Sequence, residues 1–286
     1  MSPDEKAWQA VRSRIAVAAR RASRDPAAVE LLAVSKAQPA AKVRAAYALG
    51  QRAFGENYVQ EASLKSGQLS DLSDIEWHLI GPLQSNKTRL AAALFGWVQS
   101  IDRLKTAERL SAARDAHAAP LNVCVQVNIS GEPSKSGVAP ADALALARAV
   151  SGLPSLALRG FMGIAEETAD VEWQRRQFRS LRGLFDAARA GGLAVDTLSM
   201  GMSADLEAAV AEGATLVRIG TALFGERTNT TEHEAPLSSS SWSHVRQRLM
   251  LRYNWRLAAL NPFGGGRTAS LSQPPRNPFR RHTRRN

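Results

Sequence analysis

The chain has 286 residues, 44% of them hydrophobic, which is enough to bury a sizeable core but includes no run of about 18 apolar residues that could span a membrane. Its first residues include acids and no apolar stretch, which excludes a signal peptide. Its single cysteine, Cys124, excludes internal disulfides and cysteine-rich metal sites. We therefore expect a cytoplasmic protein. Of the formal net charge of +11, the segment 228–286 contributes most through ten arginines against two acids, and the rest of the chain is nearly balanced.

Short β-rich runs alternate with longer helical stretches as far as about residue 227. An amphipathic helix is predicted first, over 4–22, because its apolar side chains recur at helical spacing. The predicted strands cover residues 31–35, 53–57, 77–81, 97–101, 122–129, 158–164, 197–201 and 215–220. The predicted helices between them cover residues 40–49, 57–66, 86–94, 103–117, 140–151, 171–190 and 203–212. Asp142, Asp170 and Ser203 stand where helix caps or first-turn residues are expected.

The alternation of eight strands with helices predicts a parallel α/β fold. Eight strands close a (β/α)8 TIM barrel, and about 225 residues is an ordinary size for one. We therefore assign residues 1–227 to a single barrel. A doubly wound open sheet is the alternative, but its dinucleotide-binding form is disfavoured because no G-x-G-x-x-G follows the first strand.

Residues 228–286 differ in composition from everything before them. They are rich in Ser, Gly, Pro and Arg, which cannot bury a core, so we predict a basic, low-complexity, disordered tail with one short helix near 243–260. Arginines interleaved with aromatic residues also make nucleic-acid or membrane-surface binding a candidate function. We prefer a solvated tail without such a role.

The first and last strands place one lysine in an unusual position. Lys36 directly follows the strand "LLAVS", although an ammonium group is costly to remove from water. In a closed barrel the eighth strand pairs with the first, so Lys36 is predicted to lie beside Arg218, Gly220 and Thr221. A lysine at a strand end is ordinarily a solvent-exposed side chain, and the prediction of a site depends on the barrel bringing these residues together.

The loops after the seventh and eighth strands have the composition of a phosphate site. They carry Gly201 and Gly220, whose backbones can approach a ligand closely, and the hydroxyls of Ser203 and Thr221. TIM barrels often bind phosphate at these two loops and a following helix N-terminus. A lysine beside a phosphate site indicates a cofactor that carries both an aldehyde and a phosphate, and pyridoxal phosphate bound as a Schiff base is the obvious one.

Five motifs, in order along the chain, resemble those of the pyridoxal phosphate homeostasis proteins. They are "AVSKAQP" (33–39), "FGENYVQE" (54–61), "WHLIGPLQSNK" (77–87), "VNISGEPSKSG" (127–137) and "LSMGMSADLEAAVAEGATLVRIGTALFGER" (198–227). The resemblance spans about residues 5–227. It implies a single (β/α)8 barrel similar to the N-terminal domain of alanine racemase.

The same resemblance implies a role for each candidate residue. It implies that Lys36 forms the Schiff base and that Arg218 faces the pyridine nitrogen. The remaining implied cofactor contacts are Ser203, Gly220 and Thr221 at the phosphate, and Asn57 and Ile80 near the ring.

An arginine at the pyridine nitrogen limits the chemistry. Because a guanidinium keeps its proton, Arg218 would donate a hydrogen bond and disfavour the pyridinium, which makes the ring a poorer electron sink. Two interpretations stay open: amino-acid racemase-like chemistry, or cofactor binding without turnover.

A racemase of the alanine racemase type needs a second base, a tyrosine contributed by a C-terminal β-domain. The chain offers Tyr47 on a predicted helix, Tyr58 in a rim loop and Tyr253 in the basic tail. The residues after Arg227 lack the alternating strands of a β-domain. We therefore prefer a non-enzymatic protein of intracellular pyridoxal phosphate homeostasis, a monomer that serves apo-enzymes needing this cofactor.

Three further features have structural interpretations. His78 is interpreted as a core or rim histidine, with an acid–base role near the site as the alternative. "GEPSKSG" (131–137) lacks the spacing of a P-loop. Cys124 is interpreted as a small core residue in a buried strand, and the five histidines show no metal-ligand spacing.

Overall fold

The computed structural model describes residues 3–132 and 135–226. Its strands are β1 (Glu30–Val34), β2 (Ala53–Glu56), β3 (Glu76–Leu79), β4 (Trp97–Ile101), β5 (Leu121–Val127), β6 (Leu156–Gly163), β7 (Thr197–Ser199) and β8 (Leu216–Ile219). Its helices are α1 (Pro3–Arg21), α2 (Ala40–Ala48), α3 (Val59–Gln68), α4 (Thr88–Leu94), α5 (Leu104–Ala113), α6 (Pro140–Ser151), α7 (Val171–Ala190), α8 (Leu206–Ala211) and α9 (Thr221–Phe224). Two short 3-10 segments are added at Pro26–Ala28 and Ser85–Lys87.

The eight strands form one closed barrel in which every neighbouring pair is parallel. The pairing of β1 with β8 closes it, with Leu32 opposite Arg218 and Ala33 opposite Ile219. The predicted (β/α)8 barrel is confirmed. Because all strands point the same way, their carboxyl ends form one rim, and the loops that follow them face the same side.

The strands, enclosed by helices on one face and by the barrel interior on the other, are buried over most of their length. Phe54 and Trp77, on adjacent strands, are buried and pack with ring centroids 6.0 Å apart. In another cluster Cys124 packs with Trp97 and Met162, and all three are buried. Cys124 is thus a core residue, as predicted, and burial raises the pKa of its thiol to about 12.

Helix α1 precedes the barrel and packs against its last elements. Its apolar stripe is buried through Trp8, Val11 and Ile15. The Trp8 ring meets Phe224 of α9 edge-on, with centroids 6.0 Å apart. The predicted amphipathic helix is confirmed, and its buried stripe joins the first helix to the last one described.

Most predicted elements differ from the observed ones only at their ends, but one capping prediction is wrong. Asp170 caps α7 by accepting a hydrogen bond from Trp173 N, and Asp142 lies in the first turn of α6. Ser203, by contrast, does not begin a helix: α8 begins at Leu206, after Asp205. The segment 203–205 is a turn because Asp205 accepts from the backbone N–H of Met202 at 2.5 Å.

Some predictions concern other parts of the chain. The tail 228–286, the short helix near 243–260 and Tyr253 lie outside the described residues. Within the described residues, every helix is too short or too polar to cross a bilayer.

Candidate functional site

A cavity of about 610 Å³ opens at the carboxyl ends of the strands. This volume is within the range of pockets that hold a small cofactor. All seven residues predicted to contact the cofactor line it: Lys36, Asn57, Ile80, Ser203, Arg218, Gly220 and Thr221. The structure therefore brings together, in one place, residues that are up to 185 positions apart in the sequence.

Lys36 reaches the cavity because of its place just beyond β1. Ser35, which follows the strand, is completely buried, whereas Lys36 is half-buried. Ala37 then adopts a left-handed backbone conformation with φ of 56°. The chain thus turns sharply immediately after Lys36, and the lysine lies at the rim, directly beyond the buried Ser35.

Arg218 lies at the inner end of the cavity and is held at two points. Its Nη1 donates to Ser199 Oγ at 2.9 Å and its Nη2 donates to the carbonyl oxygen of Gly163 at 2.9 Å. Burial lowers the pKa of the guanidinium to about 10, against the opposing field of Asp205, so Arg218 is protonated at neutral pH. Arg218 is thus a buried cation of fixed orientation, and a guanidinium has further N–H donors besides the two used here.

The hydrogen bonds of Arg218 continue across the inside of the barrel. Ser199 Oγ donates to Gln99 Oε1 at 2.6 Å, and Gln99 Nε2 lies 3.0 Å from His78 Nδ1. Since the Gln99 amide must donate there, His78 Nδ1 accepts and the proton is on Nε2. His78 is buried and stacks on Trp97 with centroids 5.1 Å apart. It is a core histidine, as predicted, and not a cavity-lining acid or base.

The opposite end of the cavity is formed by the loops after β7 and β8. Gly201 has φ of 95°, and a Cβ there would lie 2.5 Å from Ala209 Cβ, so only glycine fits. Ser203 is fixed from outside the barrel, because Arg14 Nη2 of α1 donates to its carbonyl oxygen at 3.1 Å. The N-terminus of α9, at Thr221, lies at the same end.

The third side of the cavity is built from the ends of β2 and β3. Gly81 packs directly on the backbone of Asn57, since a Cβ at Gly81 would lie 2.3 Å from the Asn57 carbonyl oxygen. The N–H of Ile80 donates to the carbonyl oxygen of Glu56 at 2.9 Å. Ile80 also packs on the core cluster around Leu32. This side of the cavity is therefore partly apolar, through Ile80.

Sequence reasoning missed a buried group of charged residues beside β1. Lys65, Glu56 and Glu61, here called the Lys65 cluster, are all buried. Burial raises the pKa of the Glu56 carboxyl to about 7, although Lys65 beside it acts in the opposite direction. The only signal in the sequence was the spacing of Glu61 and Lys65, which places both on one face of a helix.

Neither tyrosine in the described residues lines the cavity. Tyr47 Oη donates to Asp74 Oδ1 at 2.5 Å on the outer surface, and Tyr58 is 49% exposed. The charged groups that do line it include Lys135, Glu166 and Asp205. Among described residues, no group of three His, Cys, Asp or Glu side chains could hold a metal ion.

Comparison with known proteins gives a consistent set of relatives. Residues 7–228 match the family model described as alanine racemase, N-terminal domain. A protein of Pseudomonas aeruginosa named pyridoxal phosphate homeostasis protein is 59% identical over 228 residues, covering 80% of this chain and 96% of the relative. A protein of Escherichia coli with the same name is 49% identical over 219 residues, covering 76% of this chain and 94% of the relative.

A solved structure is also similar. The PipY protein of Synechococcus elongatus, in a structure with pyridoxal phosphate bound, is 42% identical with a TM-score of 0.65. The match covers 74% of this chain and 100% of that one.

Proposed function

The chain belongs to the family of pyridoxal phosphate homeostasis proteins, and from that premise we propose that it binds pyridoxal phosphate on Lys36 and serves intracellular supply of the cofactor without substrate turnover. The observation that carries the proposal is the position of the Lys36 amine and the buried Arg218 guanidinium in one cavity. The binding of this cofactor by the PipY relative supports it.

The residues present fit the cofactor chemically. Pyridoxal phosphate supplies, when bound, an aldehyde carbon that an amine can attack. Lys36 would hold the cofactor through its amine, and condensation with the aldehyde to a Schiff base would release one water. Lys36, half-buried just beyond the buried end of β1, is the amine that the strand places at the rim of the barrel.

Arg218 fits the ring end of the cofactor. It is buried and protonated, and two of its donors are fixed on Ser199 and Gly163. A further N–H can donate to a pyridine nitrogen and favour its unprotonated form. The ring is then a weak electron sink, which favours holding the cofactor over transforming an amino acid.

The phosphate fits the end formed by Ser203, Gly220 and Thr221. Two hydroxyls and backbone N–H groups at a helix start are good donors to an anion. At Gly220 a Cβ would lie 3.2 Å from the Val34 carbonyl oxygen, so glycine keeps this end of the cavity close to β1. Asn57 and Ile80 would then flank the ring.

A role in cofactor supply requires proteins that receive the cofactor and a compartment in which they meet this protein. We propose that apo-enzymes requiring pyridoxal phosphate receive it from this protein, which acts in the cytoplasm as a monomer. The racemase-like alternative loses support because neither Tyr47 nor Tyr58 lines the cavity.

The test is intact-protein mass spectrometry after incubation with pyridoxal phosphate and borohydride reduction. We expect one adduct, mapped to Lys36 by peptide analysis, together with visible absorbance before reduction. Lys36→Ala should remove both, whereas Lys105→Ala, at an exposed position on α5, should remove neither. A wild-type protein that stays colourless and without an adduct would refute the proposal.

A further inference from the structure

In the Lys65 cluster the ammonium group of Lys65 contacts two carboxyl side chains and one backbone carbonyl. Lys65 Nζ donates to Glu56 Oε1 at 2.7 Å, to Glu61 Oε1 at 2.7 Å and to the carbonyl oxygen of Ser35 at 2.6 Å. These are the three donors that an ammonium group has. The side chains of Lys65 and Glu56 are 6% and 0% exposed, so water does not compete for these bonds.

The cluster holds both neighbours of Lys36. On one side, Ser35 accepts from Lys65 through its carbonyl oxygen and donates its hydroxyl to Glu56 Oε1 at 2.6 Å. On the other side, the backbone N–H of Ala37 donates to Glu61 Oε1 at 2.6 Å. Three hydrogen bonds to charged groups therefore bracket the one residue between them.

The backbone at Ala37 explains why such support is needed. Its φ of 56° is in the left-handed region, which a residue with a Cβ adopts at a cost of about 1 kcal/mol. A charge-assisted hydrogen bond to Glu61 offsets that cost. Without this hydrogen bond, the backbone after Lys36 would relax toward an extended conformation. The position and direction of the Lys36 side chain would then change.

Stability alone does not account for the cluster. Removing charged side chains from water is expensive, and apolar side chains of similar volume usually stabilise a core at least as well. Buried ionic groups are better explained where they fix one conformation. Here the conformation they fix is that of Ser35 and Ala37.

We propose that Lys65, Glu56 and Glu61 are positioning residues for Lys36, holding the backbone on both sides of it so that its amine faces the cavity. The inference rests on the proposed function of Lys36. Glu61 has the most direct part, since its carboxylate fixes the left-handed turn, and Lys65 holds both carboxylates in place.

The test compares two substitutions of Glu61 in the full chain with the same substitutions at Glu212. Glu61→Leu removes the acceptor for the Ala37 N–H, whereas Glu61→Gln keeps an acceptor and removes the charge. Glu212 is a matched control: its side chain is 9% exposed, like that of Glu61, and it pairs with Arg175 and Arg179 away from the cavity. Lys65→Met is a further variant.

Two measurements are made on each protein. The first is hydrogen exchange in the absence of cofactor, at the peptide that contains Ala37. The second is the rate at which pyridoxal phosphate forms a borohydride-trapped adduct at Lys36. Urea denaturation reports the overall stability of each variant, so that a general loss of structure is recognised.

For Glu61→Leu we expect exchange at Ala37 to be faster by about tenfold and adduct formation to be slower by about tenfold. Lys65→Met should move both readouts in the same direction. Glu61→Gln should keep both the exchange rate at Ala37 and the rate of adduct formation close to the wild-type values. Neither Glu212 variant should change either rate.

Wild-type rates of adduct formation in Glu61→Leu, or equal losses in Glu61→Leu and Glu212→Leu, would overturn the positioning role. If the wild-type protein forms no adduct, the proposed function fails. The exchange measurement then still decides whether the cluster holds the Ala37 turn.

Discussion

Ser199 on β7 and Gln99 on β4 are joined by a hydrogen bond of 2.6 Å, although their strands are not neighbours in the barrel. The bond therefore crosses the barrel interior. It continues the contact from Arg218 to Ser199 and reaches His78 through Gln99. The direction in which Arg218 points is thus set by side chains on the far side of the barrel.

Ser199→Ala should weaken both the fold and the cofactor site. It removes the partner of Arg218 Nη1 and leaves a charged donor buried, which costs about 1–3 kcal/mol of unfolding free energy. Urea denaturation without cofactor measures that loss, and titration with pyridoxal phosphate should show weaker binding. Ser111→Ala is the control, because Ser111 Oγ donates to the Pro154 carbonyl oxygen away from the cavity. Ser111→Ala should lower the stability without lowering the affinity for pyridoxal phosphate. Unchanged affinity in Ser199→Ala would contradict a role of the Arg218–Ser199 hydrogen bond in the site.

Gly81→Ala should be strongly destabilising. A Cβ there would lie 2.3 Å from the Asn57 carbonyl oxygen, so β2 and β3 would have to separate at their ends. We expect a loss of about 2–4 kcal/mol, in the range of overpacked core substitutions or above. Gly67→Ala on α3 is the contrasting change, since nothing lies within 4 Å of its Cβ. It should stabilise the helix by about 0.5–1 kcal/mol, and thermal denaturation of both variants distinguishes the two cases.

The stability of the protein should depend on pH through Glu56. Its folded-state pKa is raised from 4.5 to about 7, so the folded protein keeps this proton over a range in which the unfolded chain has lost it. The contribution of Glu56 is therefore fully present below pH 4.5 and is lost as the pH rises toward 7. Glu56→Gln should remove that slope. Urea denaturation at several pH values tests this, and parallel profiles of the two proteins would show that Glu56 does not titrate in this window.

The cofactor-loaded protein should not racemise amino acids. Neither Tyr58 nor Tyr47 lines the cavity, and in the proposed arrangement Arg218 would disfavour the electron-withdrawing pyridinium. A sensitive assay with several L-amino acids, followed by chiral chromatography, measures this directly. Turnover that disappears in Lys36→Ala would overturn the proposal of cofactor binding without catalysis.

The barrel and the composition of the cavity could be predicted because they depend on strand order and strand ends. Once eight parallel strands close, Lys36 and Arg218 must lie toward the same end of the barrel, whatever the helices do. The positions of Ser203, Gly220 and Thr221 followed from the same reasoning. Their role in holding a cofactor stays a prediction.

The polar contacts beneath the site were not predictable in the same way. Whether Gln99 contacts Ser199 depends on which face of each strand points into the barrel and on the stagger of the strands. The sequence pattern determines neither. The Lys65 cluster was hidden for a related reason: Glu56 ends a strand, Glu61 and Lys65 belong to a helix, and only the packing of α3 on β1 and β2 joins them. Ser203 was misassigned as a cap because Asp205, two residues later, competes for that role.

The pairing of Leu32 with Arg218 also governs when the site can exist during synthesis. A ribosome adds about 5–20 residues per second, so roughly ten to forty seconds pass between the appearance of Lys36 and that of Arg218. Until then the first strand has no eighth strand beside it. Lys36 is meanwhile an ordinary amine on an unfinished chain, so the proposed loading with cofactor would have to follow completion of the barrel.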